Sequence, residues 1–236
     1  MLNPDLLSAL KEKYIEEQPE FDDLRQRVIT YFERNPKAAP YVHSVKSRLK
    51  DPDHLADKIK RNWKEESPIN PDNLFSKITD LAGVRVLLLH QKQFGKVKDA
   101  IDSRIVRKEW FLVEPPKAYT WDPEAKSYFE NLGLEVHTKE SFYTSVHYLV
   151  RGNLDSPVCC EIQIRTLFEE IWGEVDHKFN YPEKSQNQTC RDQILVLAKL
   201  IGAGSRLVDS IFSSQEIQNS PLNTEAKTDT ALGQQQ

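Results

Sequence analysis

The chain has 236 residues, enough for one sizeable core with appendages, and its 32 Lys and Arg against 36 Asp and Glu leave a net charge of −4. That balance excludes a protein that coats nucleic acid by bulk electrostatics, so clusters of cations read as local sites. Three cysteines, with Cys159 and Cys160 adjacent, give neither an even disulfide framework nor a metal-binding C-x-x-C spacing, and no apolar run approaches the ~18 residues of a membrane span, so a soluble cytoplasmic protein is expected.

Residues 3–35 predict two helices, DLLSALKEKYIEE and PEFDDLRQRVITYFERN, the second placing Phe21, Leu24, Val28 and Phe32 at helical spacing. YVHSVKSRLK predicts a strand with Val45 and Leu49 on one face and Lys46, Arg48 and Lys50 on the other. Asp51 then caps a helix over 52–64, with Pro52 in the first turn, where its missing N–H costs nothing. After a Pro/Asn-rich link at 67–73, FSKITDLAGVRVLLLH predicts a turn into a buried strand, and KQFGKVKDAIDSRI an amphipathic helix. This is α/β-type alternation.

Residues 107–140 lack periodicity and predict a long loop carrying a short helix near 123–132. SFYTSVHYLV and VCCEIQIRT predict two strands paired as a hairpin. LFEEIWGEVDHKFNY follows as a helix with Leu167, Ile171, Val175 and Phe179 four apart, then RDQILVLAKLIGAGSRLVDSIF as another. The Ser/Gln/Asn/Thr-rich stretch 213–236 predicts a disordered tail.

Alternation in EIQIRT projects Glu161, Gln163 and Arg165 to one sheet face. That face could simply be solvated, with Glu161 paired to an Arg, just as Asp57 and Arg61 could pair along a solvated helix face. If instead Asp80, at the entry to the buried strand, meets Glu161 on a neighbouring strand, the two carboxylates repel, and a hard cation is the usual remedy. Mg²⁺ takes one or two carboxylates plus substrate phosphates. Arg48, Lys50, Lys58 and Arg61 crowd the nearby helix start, which suggests metal and cations around a polyphosphate. In FYTSVH, Tyr143, Ser145 and His147 share a face. A Tyr there is more often packing than ligand, but beside a phosphate site it becomes a platform for a base, worth ~1–3 kcal/mol. His147 alone reads as a hydrogen-bonded structural histidine.

SRLKDPDHLADKIKRN, ITDLAGVRV, FYTSVHYLV and EIQIRTLFEEIWGEVDHK, in that order over residues 40–182, resemble the synthetase domain of the RelA/SpoT family, the enzymes of the stringent response that make the alarmones pppGpp and ppGpp. The resemblance implies a nucleotidyltransferase-like α/β fold, a mixed β-sheet flanked by helices with N-terminal and C-terminal helical extensions. It divides the chain into N-terminal helices (1–39), a pyrophosphokinase domain (40–182), a C-terminal helix (183–212) and a tail (213–236). The implied enzyme is a Mg²⁺-dependent GTP/GDP pyrophosphokinase that uses ATP and releases AMP. No His-Asp dipeptide occurs, so synthesis without the family's hydrolase activity is expected.

Residue by residue, the resemblance assigns Arg48, Lys50, Lys58, Arg61 and Arg85 to ATP. It gives Asp80 and Glu161 to the metal and catalysis, with Glu161 as the base, and Tyr143, Lys139, His147, Gln163 and Asp176 to the acceptor nucleotide. Phe142 stands where the family has Gly, and Asp176 where it has Glu. Two other classes stay open: a toxic family member that pyrophosphorylates the 3′ end of tRNA, and a non-catalytic nucleotide-sensing module. The resemblance also leaves open a homo-oligomer and an antitoxin partner.

Overall fold

The structure, a computed structural model, describes residues 2–139, 141–180 and 185–218. Helix α1 (Pro4–Arg34) starts at Asn3, whose side chain accepts from the Leu6 N–H. It is one helix where the sequence predicts two, and Pro19 lies inside it. Leu10, Tyr14, Phe21, Leu24, Val28 and Phe32 fall on one stripe, each 0–2% exposed. Burying each is worth ~1.5–3 kcal/mol, which together outweighs the ~3 kcal/mol of an interior proline.

Strand β1 (Ser44–Leu49) leads into α2 (Pro52–Asn62), where Asp51 accepts from the Asp53 and His54 N–H groups as its cap. A short α3 (Leu74–Lys77), β2 (Ala82–Leu88) and α4 (Gln93–Val106) follow. The segment expected to be a long loop instead holds β3 (Phe111–Leu112), β4 (Lys117–Thr120), α5 (Pro123–Asn131) and β5 (Glu135–Thr138). These strands are too short to show an alternating pattern, and Asp122 caps α5 at the expected place. Strands β6 (Ser145–Arg151) and β7 (Cys160–Thr166) form the predicted antiparallel pair.

Strand β7 runs directly into α6 (Leu167–Asn180) through a reciprocal cap. The Thr166 N–H donates to Glu169 Oε2 at 2.6 Å, and the Glu169 N–H donates back to Thr166 Oγ1 at 3.4 Å. The predicted stripe of α6 is not its buried face: Ile171 and Phe179 are 55% and 48% exposed, while Glu170 and Trp172 are buried. The helix lies over a charged sheet face, so ion pairing by Glu170 and packing of Trp172 choose the inward side. Helix α7 (Gln188–Gln218) continues past residue 213, where the disordered tail was expected; the rest of that stretch, 219–236, lies outside the described residues.

The seven strands form one mixed sheet, ordered β1-β2-β7-β6-β4-β5 with β3 beside β6. Its core face presents Val84, Val86, Val146, Tyr148, Ile162 and Ile164, all 0–2% exposed. The opposite face is polar, because the alternation that buries Ile162 and Ile164 turns Glu161 and Gln163 outward. No helix among the described residues is long and apolar enough to cross a membrane.

Candidate active site

The polar sheet face opens into a cleft of about 290 Å³ lined by Arg48, Asp80, Arg85, Glu161 and Gln163, with Glu174 and His177 contributed by α6. Register explains the assembly. Arg48 sits opposite Gly83 on β2, Gly83 opposite Glu161 on β7, and Arg85 opposite Gln163. Gly83 leaves this row open: a Cβ there would touch the Arg48 side chain at 3.9 Å.

Lys50 and Lys58 join the cleft through Asp80. Their ammonium groups stand 2.8 Å from Oδ2 and 2.7 Å from Oδ1. Burial pushes the Asp80 carboxyl up, but the two lysines more than offset it and hold the group below the usual carboxylate range. Arg61 is exposed farther along α2 and does not line the cleft.

At the other edge of the cleft a hydrogen-bonded chain crosses β6 to β7. Tyr143 Oη lies 2.8 Å from His147 Nε2, His147 Nδ1 lies 3.1 Å from Glu161 Oε1, and Gln163 Nε2 donates to Glu161 Oε2 at 2.8 Å. Burial pushes the Tyr143 phenol up, so it keeps its proton at neutral pH, and because an ionised Glu161 can only accept, His147 donates to it from Nδ1. Burial also pushes Glu161 up, and the hydrogen bonds from His147 and Gln163 bring it below its usual range. Both carboxylates are thus ionised at neutral pH. Lys139 reaches this edge indirectly, its ammonium 4.7 Å from the ring centre of Tyr119, which packs edge-on to His147 at 4.9 Å. Asp176 is turned away from the cleft and accepts from Asn180 within α6.

Glu170 is absent from the residues singled out in the sequence, yet it holds the site together. It is 4% exposed and meets Lys46 at 2.9 Å, Arg85 at 3.4 Å and Arg165 more closely still. Glu174 adds a second contact to Arg85 at 2.6 Å. The available signal is the i, i+4, i+7 spacing of Glu170, Glu174 and His177, a polar row on one face of α6.

Among the described residues no group of three or more His, Cys, Asp or Glu could hold a metal ion. The donor set is the pair Asp80 and Glu161, close enough for the charge of Asp80 to push Glu161 upward. Two carboxylates facing an open polar cleft fit Mg²⁺, which fills its remaining positions with water and phosphate oxygens.

Residues 47–186 match the family described as the region found in RelA / SpoT proteins. Nothing among curated proteins matches the chain. The fold is similar to that of a GTP pyrophosphokinase family protein from Streptococcus pneumoniae, at 21% identity and a TM-score of 0.61, covering 92% of this chain and 98% of that one. It is also similar to small alarmone synthetase 1 from Bacillus subtilis bound to its product pppGpp, at 20% identity and a TM-score of 0.60, over 86% and 96% of the two chains. The same B. subtilis protein bound to AMPCPP matches at 19% identity and a TM-score of 0.59, over 88% and 96%. With its sheet, helices and ordered motifs in place and the family region covering more than half its length, the chain belongs to the RelA/SpoT family.

Proposed function

We propose that the chain is a small, ATP-dependent pyrophosphokinase that transfers the β,γ-pyrophosphoryl group of ATP to the ribose 3′-OH of GDP or GTP, making (p)ppGpp and releasing AMP. The observation that carries this reading is the meeting, in one cleft, of the cations Arg48, Lys50, Lys58 and Arg85 with Asp80 and with the Tyr143–His147–Glu161 chain.

Arg48 and Arg85 line the cleft with planar guanidinium groups, suited to sandwiching adenine. Lys50 and Lys58 converge where the phosphates would lie, and their charge offsets that of the transferred group. Asp80 and Glu161 would hold Mg²⁺, which supplies further neutralisation of phosphate oxygens. The acceptor base stacks on Tyr143. Glu161 takes the 3′-OH proton as the ribose oxygen bonds to the β-phosphorus and the bond from that phosphorus to the AMP oxygen breaks. His147, donating from Nδ1, fixes the orientation of Glu161 during the transfer. Positioning supplies much of the rate.

A second reading, transfer to the 3′ end of tRNA, draws on Lys139 over Tyr119 at the acceptor edge, a cation and a ring that an unpaired nucleotide could use. For both readings, Asp80→Asn and Glu161→Gln should abolish AMP release while leaving the circular dichroism spectrum intact. Full AMP release by both variants would remove the catalytic assignment.

A further inference from the structure

Three carboxylates line the cleft, and two of them are fully engaged: Asp80 by Lys50 and Lys58, and Glu161 by His147 and Gln163. The third, Glu174 on α6, stands apart. Its side chain is 55% exposed and its Oε1 meets Arg85 Nη1 at 2.6 Å, while Oε2 has no protein partner among the described residues. Arg85 already has the buried Glu170 at 3.4 Å, so Glu174 is a second carboxylate on a guanidinium that is neutralised without it.

Stacking between Arg48 and Arg85 does not choose among purines, because every base offers a π-face. The choice of donor base therefore falls to a group at the edge of the ring. Adenine carries an exocyclic amine there, N6, which donates, where guanine carries a carbonyl, O6, which accepts. The polar groups beside Arg85 are Lys46 and Gln163, opposite it on β1 and β7, and Glu174 above them from α6. Lys46 is bonded to Glu170, and Gln163 gives its amide N–H to Glu161, so neither donor is spare for O6. Glu174 remains, and a carboxylate only accepts.

We propose that Glu174 sets the donor-base specificity of the cleft by accepting a hydrogen bond from the adenine N6 amine, its carboxylate bridging Arg85 and the base. The proposal rests on the pyrophosphokinase reading for one point, the seat of the donor base between Arg48 and Arg85. A polar group placed to bond an N–H discriminates strongly against a ligand that lacks it, since the group is then left unpaired. With O6 in the place of N6, two acceptors face each other and repel.

Binding without turnover keeps this proposal separable from the reading beneath it. Equilibrium dialysis on the full chain, with Mg²⁺ and with GDP in excess to fill the acceptor pocket, would use three α,β-methylene triphosphates. These are AMPCPP, GMPCPP and the purine riboside analogue, which has neither N6 nor O6. The parent should bind AMPCPP about tenfold tighter than either of the others. In Glu174→Ala, AMPCPP should weaken about tenfold and the purine riboside analogue hardly at all, so that the preference disappears. Glu174→Gln keeps an acceptor and adds a donor, so it should hold AMPCPP and bind GMPCPP more tightly than the parent does. Circular dichroism checks that both variants fold. A Glu174 that merely held Arg85 in place would weaken AMPCPP and the purine riboside analogue together, with the preference intact. That result, or a parent that does not prefer AMPCPP, would overturn the proposal. The expected preferences in a chain that releases no AMP from ATP and GDP would uphold it and remove the pyrophosphokinase reading instead.

Discussion

At Glu170 one carboxylate serves Lys46 from β1, Arg85 from β2 and Arg165 from β7. Removing it leaves Arg165, whose side chain is 3% exposed, beside Lys46 and Arg85, with only the half-exposed Glu174, on Arg85, to offset the three. Breaking a buried pair by deleting one partner costs ~3–5 kcal/mol, so Glu170→Ala should lose stability on that scale in urea unfolding. A loss under ~1 kcal/mol would show the contact to be dispensable. Its neighbour Glu169 works in the opposite sense. Burial pushes its carboxyl up, so the folded chain binds the proton more tightly than the unfolded one. Stability then falls as pH rises from the ordinary Glu pKa, ~4.3, through the raised folded value. Gln keeps the acceptor that caps α6 and has no proton to lose. Glu169→Gln should therefore melt higher than the parent at pH 7, with the difference vanishing below about pH 4. Calorimetry at the two pH values checks this, and a lower melt at pH 7 would contradict it.

Among the elements, those long enough to show a period were legible, and so were those with explicit caps. Asp51-Pro52 announced α2, and the alternation of EIQIRT announced both β7 and the polar face on which the site is built. Five elements differ from the reading of the sequence, each for a local reason. Pro19 suggested a break that the buried stripe of α1 overrides. Strands β3 to β5 are two to four residues long and set by pairing with neighbours, which no local pattern records. The apolar spacing on α6 pointed outward because a buried glutamate chose the other face. Helix α7 supplies a test at this scale. Asp209 accepts from the Lys92 N–H at 3.0 Å and pairs with His90 at 2.7 Å, while Phe212 stacks on His90 at 4.4 Å. Truncation after Ser213 keeps these contacts and should leave stability within ~0.5 kcal/mol. Truncation after Val208 strands the buried His90 and should cost ~1–3 kcal/mol more. Equal melting of the two truncations would remove the anchoring role of Asp209.

Across the whole molecule, one face of the sheet makes the core and the other makes the cleft, so the same alternation that stabilises the chain delivers its polar groups to one place. Five of the predicted residues line that cleft, and Lys50, Lys58, Tyr143 and His147 reach it through hydrogen bonds and ion pairs. Arg61 and Asp176 are not among the residues that line it. In the sequence Glu170 is only one member of a polar row on α6, and its burial depends on three strands bringing it their cations. The transfer itself is measured by supplying ATP labelled in its terminal phosphate to separate reactions with GDP, GTP, ADP and bulk tRNA. Label is expected on GDP or GTP with matching release of AMP, and none on ADP or tRNA. Label on tRNA alone, or on no acceptor at all, would contradict it.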